Sequence, residues 1–325
     1  MGSLKIRTNY GVHLNCSRFK ILPLLCVRKQ HSSNFVPRHE PVTESDVNKL
    51  QTFVENASKL LVLTGAGIST ESGLPDYRSE EVGLYARSNH KPMKLSQFME
   101  SEAMRKKYWT RNYIAFPRLT RIEPNAAHFT LTDWERKGKL VAIVTQNVDR
   151  LHQKSGAENV IELHGNGYVV KCVNGNSINC SYKISRYLFQ QQLNELNEDL
   201  FNNFDTLSLA LRPDMDVDLN SEMVQNFRVP SCPNCGGILK PDIVFFGDNV
   251  PKHIVSSVYE KVEQSDSLLV VGSSLKVYSA YRFVDFAHER KKKIAIVNIG
   301  PTRADHLNVL HICKRSGEVL PKIKL

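Results

Sequence analysis

Four cysteines in the body of the chain, Cys172, Cys180, Cys232 and Cys235, have the type and spacing to hold a metal ion. Cys232-Pro-Asn-Cys235 is followed by Gly236-Gly237. In such a knuckle two thiolates face one ion, and the glycines let backbone N–H groups approach the sulfurs. Redox exchange is the alternative chemistry for a lone CxxC. It favours a helix start, where the dipole lowers a thiol pKa, whereas this pair lies between Pro230 and the strand-like Ile238-Leu239. A tetrahedral site needs two more ligands, and Cys172 and Cys180 are the candidates. Seven residues separate them, and Asn174-Gly175 among these favours a hairpin turn that would bring the sulfurs together. Four thiolates leave no open coordination position, so the Zn2+ expected here is structural. Cys16 and Cys26 lie near the N-terminus and Cys313 is isolated; an odd total of seven argues against a disulfide framework.

A second set of polar residues follows short apolar runs. Thr64-Gly65-Ala66-Gly67-Ile68-Ser69 follows KLLVLT (Lys59–Thr64) and is a candidate phosphate cradle, although Thr70 stands where a full dinucleotide fingerprint has glycine. Gln146-Asn147-Val148-Asp149 follows LVAIVT, and His164-Gly165-Asn166 follows Val160–Leu163. Gly272-Ser273-Ser274 follows SLLVV, and Asn298-Ile299-Gly300 follows IAIV. Alone, each is an ordinary polar loop. Together they describe a polar cleft wide enough for a dinucleotide. Within it His164 carries the one imidazole suited to a general base. His128 and His152 read as helical histidines without a special role; His253, His288, His306 and His311 read as surface or turn residues.

The elements that must position these groups alternate. Five β-rich runs are separated by helix-length segments such as Pro124–Lys137, Pro251–Glu263 and Ser279–Arg290. That alternation predicts an α/β fold with a Rossmann-like, mainly parallel sheet, whose ligands bind beyond the carboxyl ends of the strands. Two stretches interrupt it. Residues 82–125 read as a helical insertion, and residues 168–240 hold all four metal candidates and a polar helical stretch, Ser185–Leu196. The two would form a smaller domain beside the core segments 43–81, 126–167 and 241–325.

The formal net charge of +10 and the pI near 9.2 invite a nucleic-acid partner. Residues 1–39, however, hold seven of the 43 Lys and Arg and none of the 33 acids, which leaves 36 bases against 33 acids, a net of +3, from Glu40 onward. An acid-free, Arg- and Ser-bearing leader is the composition of a mitochondrial transit peptide. A secretory signal fits less well. The apolar run Ile21–Val27 lies behind a long basic, polar stretch and has no small-residue cleavage site after it. Residues 40–325 would then be the catalytic domain, opening on a helix that Thr43 and Asp46 cap and that Val47, Leu50, Phe53 and Val54 face inward. The candidate zinc module bears Glu195, Glu198, Asp199, Asp205, Asp214, Asp216, Asp218 and Glu222, which argues against a zinc-bearing nucleic-acid binder. An NAD-dependent dehydrogenase is the other rival, weakened by the missing glycine. No apolar run is long enough for a membrane span, and the oligomeric state cannot be read.

In chain order, GAGISTESGLPDYRS (Gly65–Ser79), TQNVD (Thr145–Asp149), LHGN (Leu163–Asn166), CPNCGG (Cys232–Gly237), KPDIVFFGD (Lys240–Asp248), GSSLKV (Gly272–Val277) and VNIG (Val297–Gly300) resemble the motifs of the sirtuin family. The resemblance runs from about Thr43 to Leu325. The DYRS and FFGD variants, the segment Tyr85–Pro92 and the leader look most like its mitochondrial class II branch. The resemblance implies NAD-dependent protein lysine deacylation with NAD as co-substrate, release of nicotinamide and O-acyl-ADP-ribose, and acyl-lysine proteins of the mitochondrial matrix as partners; some members are also ADP-ribosyltransferases. It implies that Gly65, Ala66, Gly67, Ile68, Ser69, Tyr77, Arg78 and Tyr85 hold the diphosphate side, and that Asp76, Gln146, Asn147, Val148 and Asp149 line the nicotinamide and ribose. Gly272, Ser273, Ser274, Asn298, Ile299, Gly300 and Ser316 would hold the adenosine half. His164 would deprotonate a ribose hydroxyl, and Val244, Phe246 and Gly247 would pair with the substrate backbone. The sequence departs from the family at the wide Cys172–Cys180 spacing and at Ser316, where the family has cysteine. Tyr108 and Arg111 have the Tyr-x-x-Arg spacing that receives acidic acyl groups in the desuccinylase branch, since an Arg can fork to a carboxylate; a solvated helix face is the alternative.

Overall fold

The computed structural model describes residues 33–87, 92–173, 180–201 and 221–325. The Asn174-Gly175 turn, Asp205, Asp214, Asp216, Asp218 and residues 88–91 of the Tyr85–Pro92 segment lie outside the described residues.

Among the described residues nine strands form two sheets. They are β1 (Leu60–Thr64), β2 (Leu140–Thr145), β3 (Val160–Glu162), β4 (Gly165–Cys172), β5 (Lys183–Ser185), β6 (Leu239–Ile243), β7 (Ser267–Val271), β8 (Lys293–Val297) and β9 (Leu310–Ile312). The large sheet runs β3-β2-β1-β7-β8-β9 and is parallel throughout. The chain reverses its direction of winding between β1 and β7, the switch point at which doubly wound sheets bind nucleotides.

Each strand in this sheet is a nearly continuous apolar run because both of its faces are covered. Leu60 and Val62 of β1 pack with Leu50, Val54, Leu131 and Trp134, while Leu61 and Leu63 pack with Val258, Phe283 and Val284. Alternate side chains thus enter two separate cores, one under each helical layer. The helix Glu44–Glu55 begins as expected. The Thr43 hydroxyl oxygen accepts from the Asp46 N–H at 3.2 Å, and the Asp46 carboxylate accepts from the Thr43 N–H at 3.0 Å.

A third core holds the smaller domain. The antiparallel sheet β5-β4-β6 packs with the helices Glu102–Leu119 and Arg186–Leu196 through Phe98, Trp109, Val170, Phe189, Leu193, Leu239 and Phe245. The helical insertion and the cysteine module therefore share one interior. The Trp109 indole N–H donates to the Leu239 carbonyl at 3.1 Å, and its ring lies 4.7 Å from that of Phe189. Arg186, 1% exposed, spreads its guanidinium 4.3 Å from the Phe116 centroid and donates to Gln190 and the Asn112 carbonyl. The small sheet also reaches past the expected limits of 168 and 240, since β4 starts at Gly165 and β6 ends at Ile243. No helix among the described residues is long and apolar enough to cross a membrane.

Candidate functional site

Both turns at the switch point begin directly at their strand ends. β1 passes into Gly65 and β7 into Gly272, and the two loops touch through backbone: the Gly67 N–H donates to the Gly272 carbonyl at 2.8 Å. A Cβ on Gly272 would stand 2.2 Å from the Ile68 nitrogen, so only glycine permits this approach.

The polar residues of the neighbouring strand ends close into one network. The Gln146 side-chain amide donates to the Thr64 carbonyl at 3.2 Å and to the Ser273 hydroxyl at 2.9 Å. Asn147 Nδ2 donates to the Gly65 carbonyl and to the Ser69 hydroxyl, both at 3.1 Å, and Ser69 Oγ donates to Asp149 Oδ2 at 2.8 Å. Burial pushes the Asp149 carboxyl up; hydrogen bonds from the Leu151 N–H and Ser69 oppose that shift. Val148 contributes its carbonyl, which accepts from the Gly167 N–H at 3.3 Å. Three strand ends of the large sheet are thereby fixed relative to one another before any ligand arrives.

His164 lies between β3 and β4, at the passage from the large sheet to the small one. Its Nδ1 is 3.0 Å from the Gln146 carbonyl, which can only accept, so the proton resides on Nδ1. Nε2 is left as the basic nitrogen and accepts from the Ser279 hydroxyl at 2.8 Å. Burial pulls the imidazole pKa below its ordinary value of 6.5, against the Gln146 carbonyl, which raises it. His164 is therefore neutral at physiological pH, as a general base must be. The His164 carbonyl accepts from the Val244 N–H at 2.8 Å, tying the expected substrate strand to the base. Phe246, exposed, uses one lone pair of its carbonyl to accept from the Leu95 N–H at 2.9 Å; Gly247 follows at φ 79°.

A narrow cleft opens beside the Gly67–Gly272 contact. Thr70, Asn298, Ile299 and Ser316 are among its lining residues, with two cations, Lys314 and Arg315, and two acids, Glu71 and Asp76; Arg315 is paired with Glu71 at 3.0 Å. Asp76 also closes its own loop: its carboxylate accepts from the Arg78 and Ser79 N–H groups at 2.9 and 2.8 Å. Tyr77 and Tyr85 hold their rings 5.9 Å apart, with the Arg78 guanidinium 5.5 Å from the Tyr85 centroid. The Ser274 carbonyl accepts from the Arg303 N–H at 2.9 Å, and the Gly300 N–H donates to Cys313 Sγ at 3.2 Å. Ala66 opens the 3-10 turn that carries Gly67 and Ser69.

The four cysteines meet despite their spacing. Cys172 and Cys235 bring their sulfurs to 3.5 Å, Cys180 and Cys232 to 3.6 Å, and all four lie within 4.8 Å of one another. A tetrahedral ion with Zn–S bonds of about 2.3 Å spaces its sulfurs at roughly 3.8 Å, while a disulfide requires about 2.05 Å. The cluster fits a structural Zn2+, with both wide-spaced cysteines taking part.

Tyr108 and Arg111 are both half-buried rather than on a solvated face. Tyr108 meets Phe98, Trp109 and Phe245 edge-on at 5.2–5.4 Å, and burial raises its phenol pKa strongly. It thus stands against the residue between Val244 and Phe246.

Several residues at or near the site were not legible in the sequence. Ser279 was only the start of a helix. His128 and His152 carry more than the featureless role expected of them: both are buried, their rings are 4.9 Å apart, and His152 Nε2 lies 2.9 Å from Thr64 Oγ1 under the β1 end. Lys240 is 2% exposed, with its ammonium 4.4 Å from the Phe245 centroid, and burial lowers its pKa to about 8.

The Sir2 family profile matches residues 65–279. The chain is 51% identical over 289 residues to the NAD-dependent protein deacylase Sirt4 of Drosophila melanogaster, covering 89% of this chain and 90% of that protein. It is 48% identical to the NAD-dependent protein lipoamidase sirtuin-4, mitochondrial, of Homo sapiens, over 89% of each. A solved chain described as "Sir2-p53 peptide-NAD+" superposes with a TM-score of 0.65 at 27% identity, covering 85% of this chain and 96% of that one. The chain belongs to the Sir2 family, the sirtuins, and within it is of the sirtuin-4 type.

Proposed function

We propose that this protein is an NAD-dependent protein lysine deacylase of the mitochondrial matrix that acts on acyl groups other than acetyl. The observation that carries the reading is His164, a neutral imidazole with Nδ1 tied to the Gln146 carbonyl and Nε2 at the edge of the switch-point cleft. The names of the relatives in fly and human support NAD dependence and deacylation.

Bound NAD supplies an electrophilic ribose carbon, onto which the acyl oxygen of a lysine is transferred as nicotinamide leaves. Gly65, Ala66, Gly67, Ile68, Ser69 and Arg78 would hold its diphosphate side. Gly272, Ser273, Ser274, Asn298, Ile299, Gly300 and Ser316 would hold the adenosine, and Gln146, Asn147 and Asp149 the ribose next to nicotinamide. Nε2 of His164 takes the proton of a ribose hydroxyl, for which the Ser279 hydroxyl gives up its bond. Gln146 keeps the ring oriented throughout, because its carbonyl accepts the same Nδ1–H before and after the transfer. Help of this kind is worth about 10²–10⁴-fold. The zinc cluster stays outside this chemistry and holds β4 to the 232–237 turn.

Tyr108, packed on Phe245, would form the wall of the acyl channel, and Arg111, one helical turn on, would meet a carboxylate at its far end. The acid-free leader and the word mitochondrial in the human relative's name support the compartment. The test is a panel of acetyl-, glutaryl-, hydroxymethylglutaryl- and lipoyl-lysine peptides incubated with NAD. Nicotinamide release, with O-acyl-ADP-ribose found by mass spectrometry, is expected with the larger acyl groups. A clear preference for acetyl overturns the acyl assignment, and no nicotinamide from any peptide overturns the deacylase reading.

A further inference from the structure

The charge arithmetic places residues 34–39 in the leader, yet the chain there is packed against the enzyme body. Phe35 is 8% exposed, and the guanidinium of Arg87 stands 5.1 Å from its ring centroid. Arg87 ends the short helix Leu84–Arg87, which closes the loop carrying Asp76, Tyr77 and Tyr85. On the other side His39 donates from Nδ1 to the Pro37 carbonyl at 3.1 Å and sets Nε2 3.6 Å from the Glu318 carboxylate, in the C-terminal segment. Between these two anchorages Val36 and Pro37 line the cleft beside the Gly67–Gly272 contact, together with Asn298, Ile299 and Ser316.

We propose that Phe35–Pro37 is a strap that forms one wall of the adenosine half of the dinucleotide site. The proposal rests on the NAD reading above. An adenine ring presents flat apolar faces, and the strap offers it Val36 and Pro37. Proline restricts its own backbone and that of the residue before it, so little freedom is lost when a ligand packs on the pair. The Phe35–Arg87 contact connects the wall to the loop expected to cover the diphosphate, and the Pro37–His39 turn connects it to the segment bearing Ser316. The strap thus joins two parts of the site that are more than two hundred residues apart in sequence. It also sets a limit on leader removal: a cut at Glu40 discards the strap, so processing that keeps full NAD affinity must fall before Phe35.

The test uses the full chain with Val36→Asp and, separately, Phe35→Ala. Dissociation constants for NAD and for free ADP-ribose are measured by calorimetry, with thermal melting as the check on folding. Val36 is half-exposed, so Val36→Asp is expected to melt as the parent does while both ligands weaken about tenfold, or roughly 1.4 kcal/mol. Phe35→Ala is expected to weaken both ligands in the same direction. Parent-like affinity, within about twofold, in both variants overturns the strap and leaves the NAD reading standing. A parent chain that binds neither ligand overturns both.

Discussion

Replacing Gly272 by alanine tests the switch-point geometry most directly, because Gly300 supplies an internal control. Both glycines have left-handed backbones, at φ 61° and 81°. An alanine there costs about 1–2 kcal/mol for its conformation alone. A Cβ on Gly300 meets nothing within 4 Å, so Gly300→Ala should lose that amount and no more. A Cβ on Gly272 would stand 2.2 Å from the Ile68 nitrogen and 2.6 Å from the Gly67 carbonyl carbon. These are backbone atoms that cannot rotate away, so the loops must part by roughly 1 Å to regain ordinary contact. The 2.8 Å hydrogen bond from Gly67 to Gly272 goes with them, at about 0.5–1.5 kcal/mol, and more if its donor stays dry. Gly272→Ala is therefore expected to lose about 2–5 kcal/mol, a large part of the about 5–15 kcal/mol that holds a domain folded. NAD affinity should fall with it, since Ser69, Asn147 and Ser273 all hang on the same two turns. Urea unfolding with an unchanged slope, followed by calorimetric titration with NAD, measures both. If Gly272→Ala proves no less stable than Gly300→Ala and binds NAD as the parent does, the backbone contact is not what shapes the cleft.

Four further outcomes follow from the same geometry. His164 must be neutral to accept a proton, and burial holds its pKa under 6.5. kcat/KM should therefore rise with pH through a midpoint below 6.5 and level off above it, whereas a midpoint above 6.5 contradicts the buried imidazole. His164→Ala should lower turnover about 10²–10⁴-fold with NAD binding retained by calorimetry; full turnover in a folded variant removes His164 from the role. Elemental analysis should find one zinc per parent chain and none in Cys172→Ser, whose smaller domain should unfold, given apparent zinc affinities of about 10–16 kcal/mol in small structural sites. A parent protein that purifies without metal would refute it. Trp109→Ala should cost about 3–5 kcal/mol in urea, because it empties a fully buried site and orphans the Leu239 carbonyl.

What could be read in advance divides along a physical line. Strands β1, β2, β7 and β8 fall within one residue of their sequence limits, because a strand covered on both faces writes itself as an unbroken apolar run. The clustering of Gly65, Gln146, Asn147, Asp149 and Gly272 was legible too, since polar groups at the ends of parallel strands must share one edge. The interior of the smaller domain was not. Trp109, Phe189 and Leu239 come from three distant segments, and no local period records that they meet. The convergence of Cys172 and Cys180 with the CPNC pair depended on a turn whose geometry spacing alone leaves open. The strap was missed for a different reason: charge marks where a leader composition ends, and burial decides where the fold begins. Phe35 belongs to both descriptions.

His164 shows why the two domains have to be considered together. Its ring is oriented from the large sheet, by the carbonyl after β2, and its basic nitrogen is capped by Ser279, beyond the end of β7. Its own carbonyl holds Val244, which continues from β6 of the small sheet, and Tyr108 presses on the next residue from the helical insertion. A rotation of the small domain about Gly165 would therefore move Val244 and His164 as one piece, while the Gln146 and Ser279 contacts resist it from the other side. The cysteine cluster and the aromatic core around Trp109 bear on this link: they keep β4 and β6 in register, so that Val244 and Nε2 hold a fixed distance. Damage to the smaller domain should on this account lower kcat more than it raises KM for NAD, whose proposed contacts lie on the large sheet.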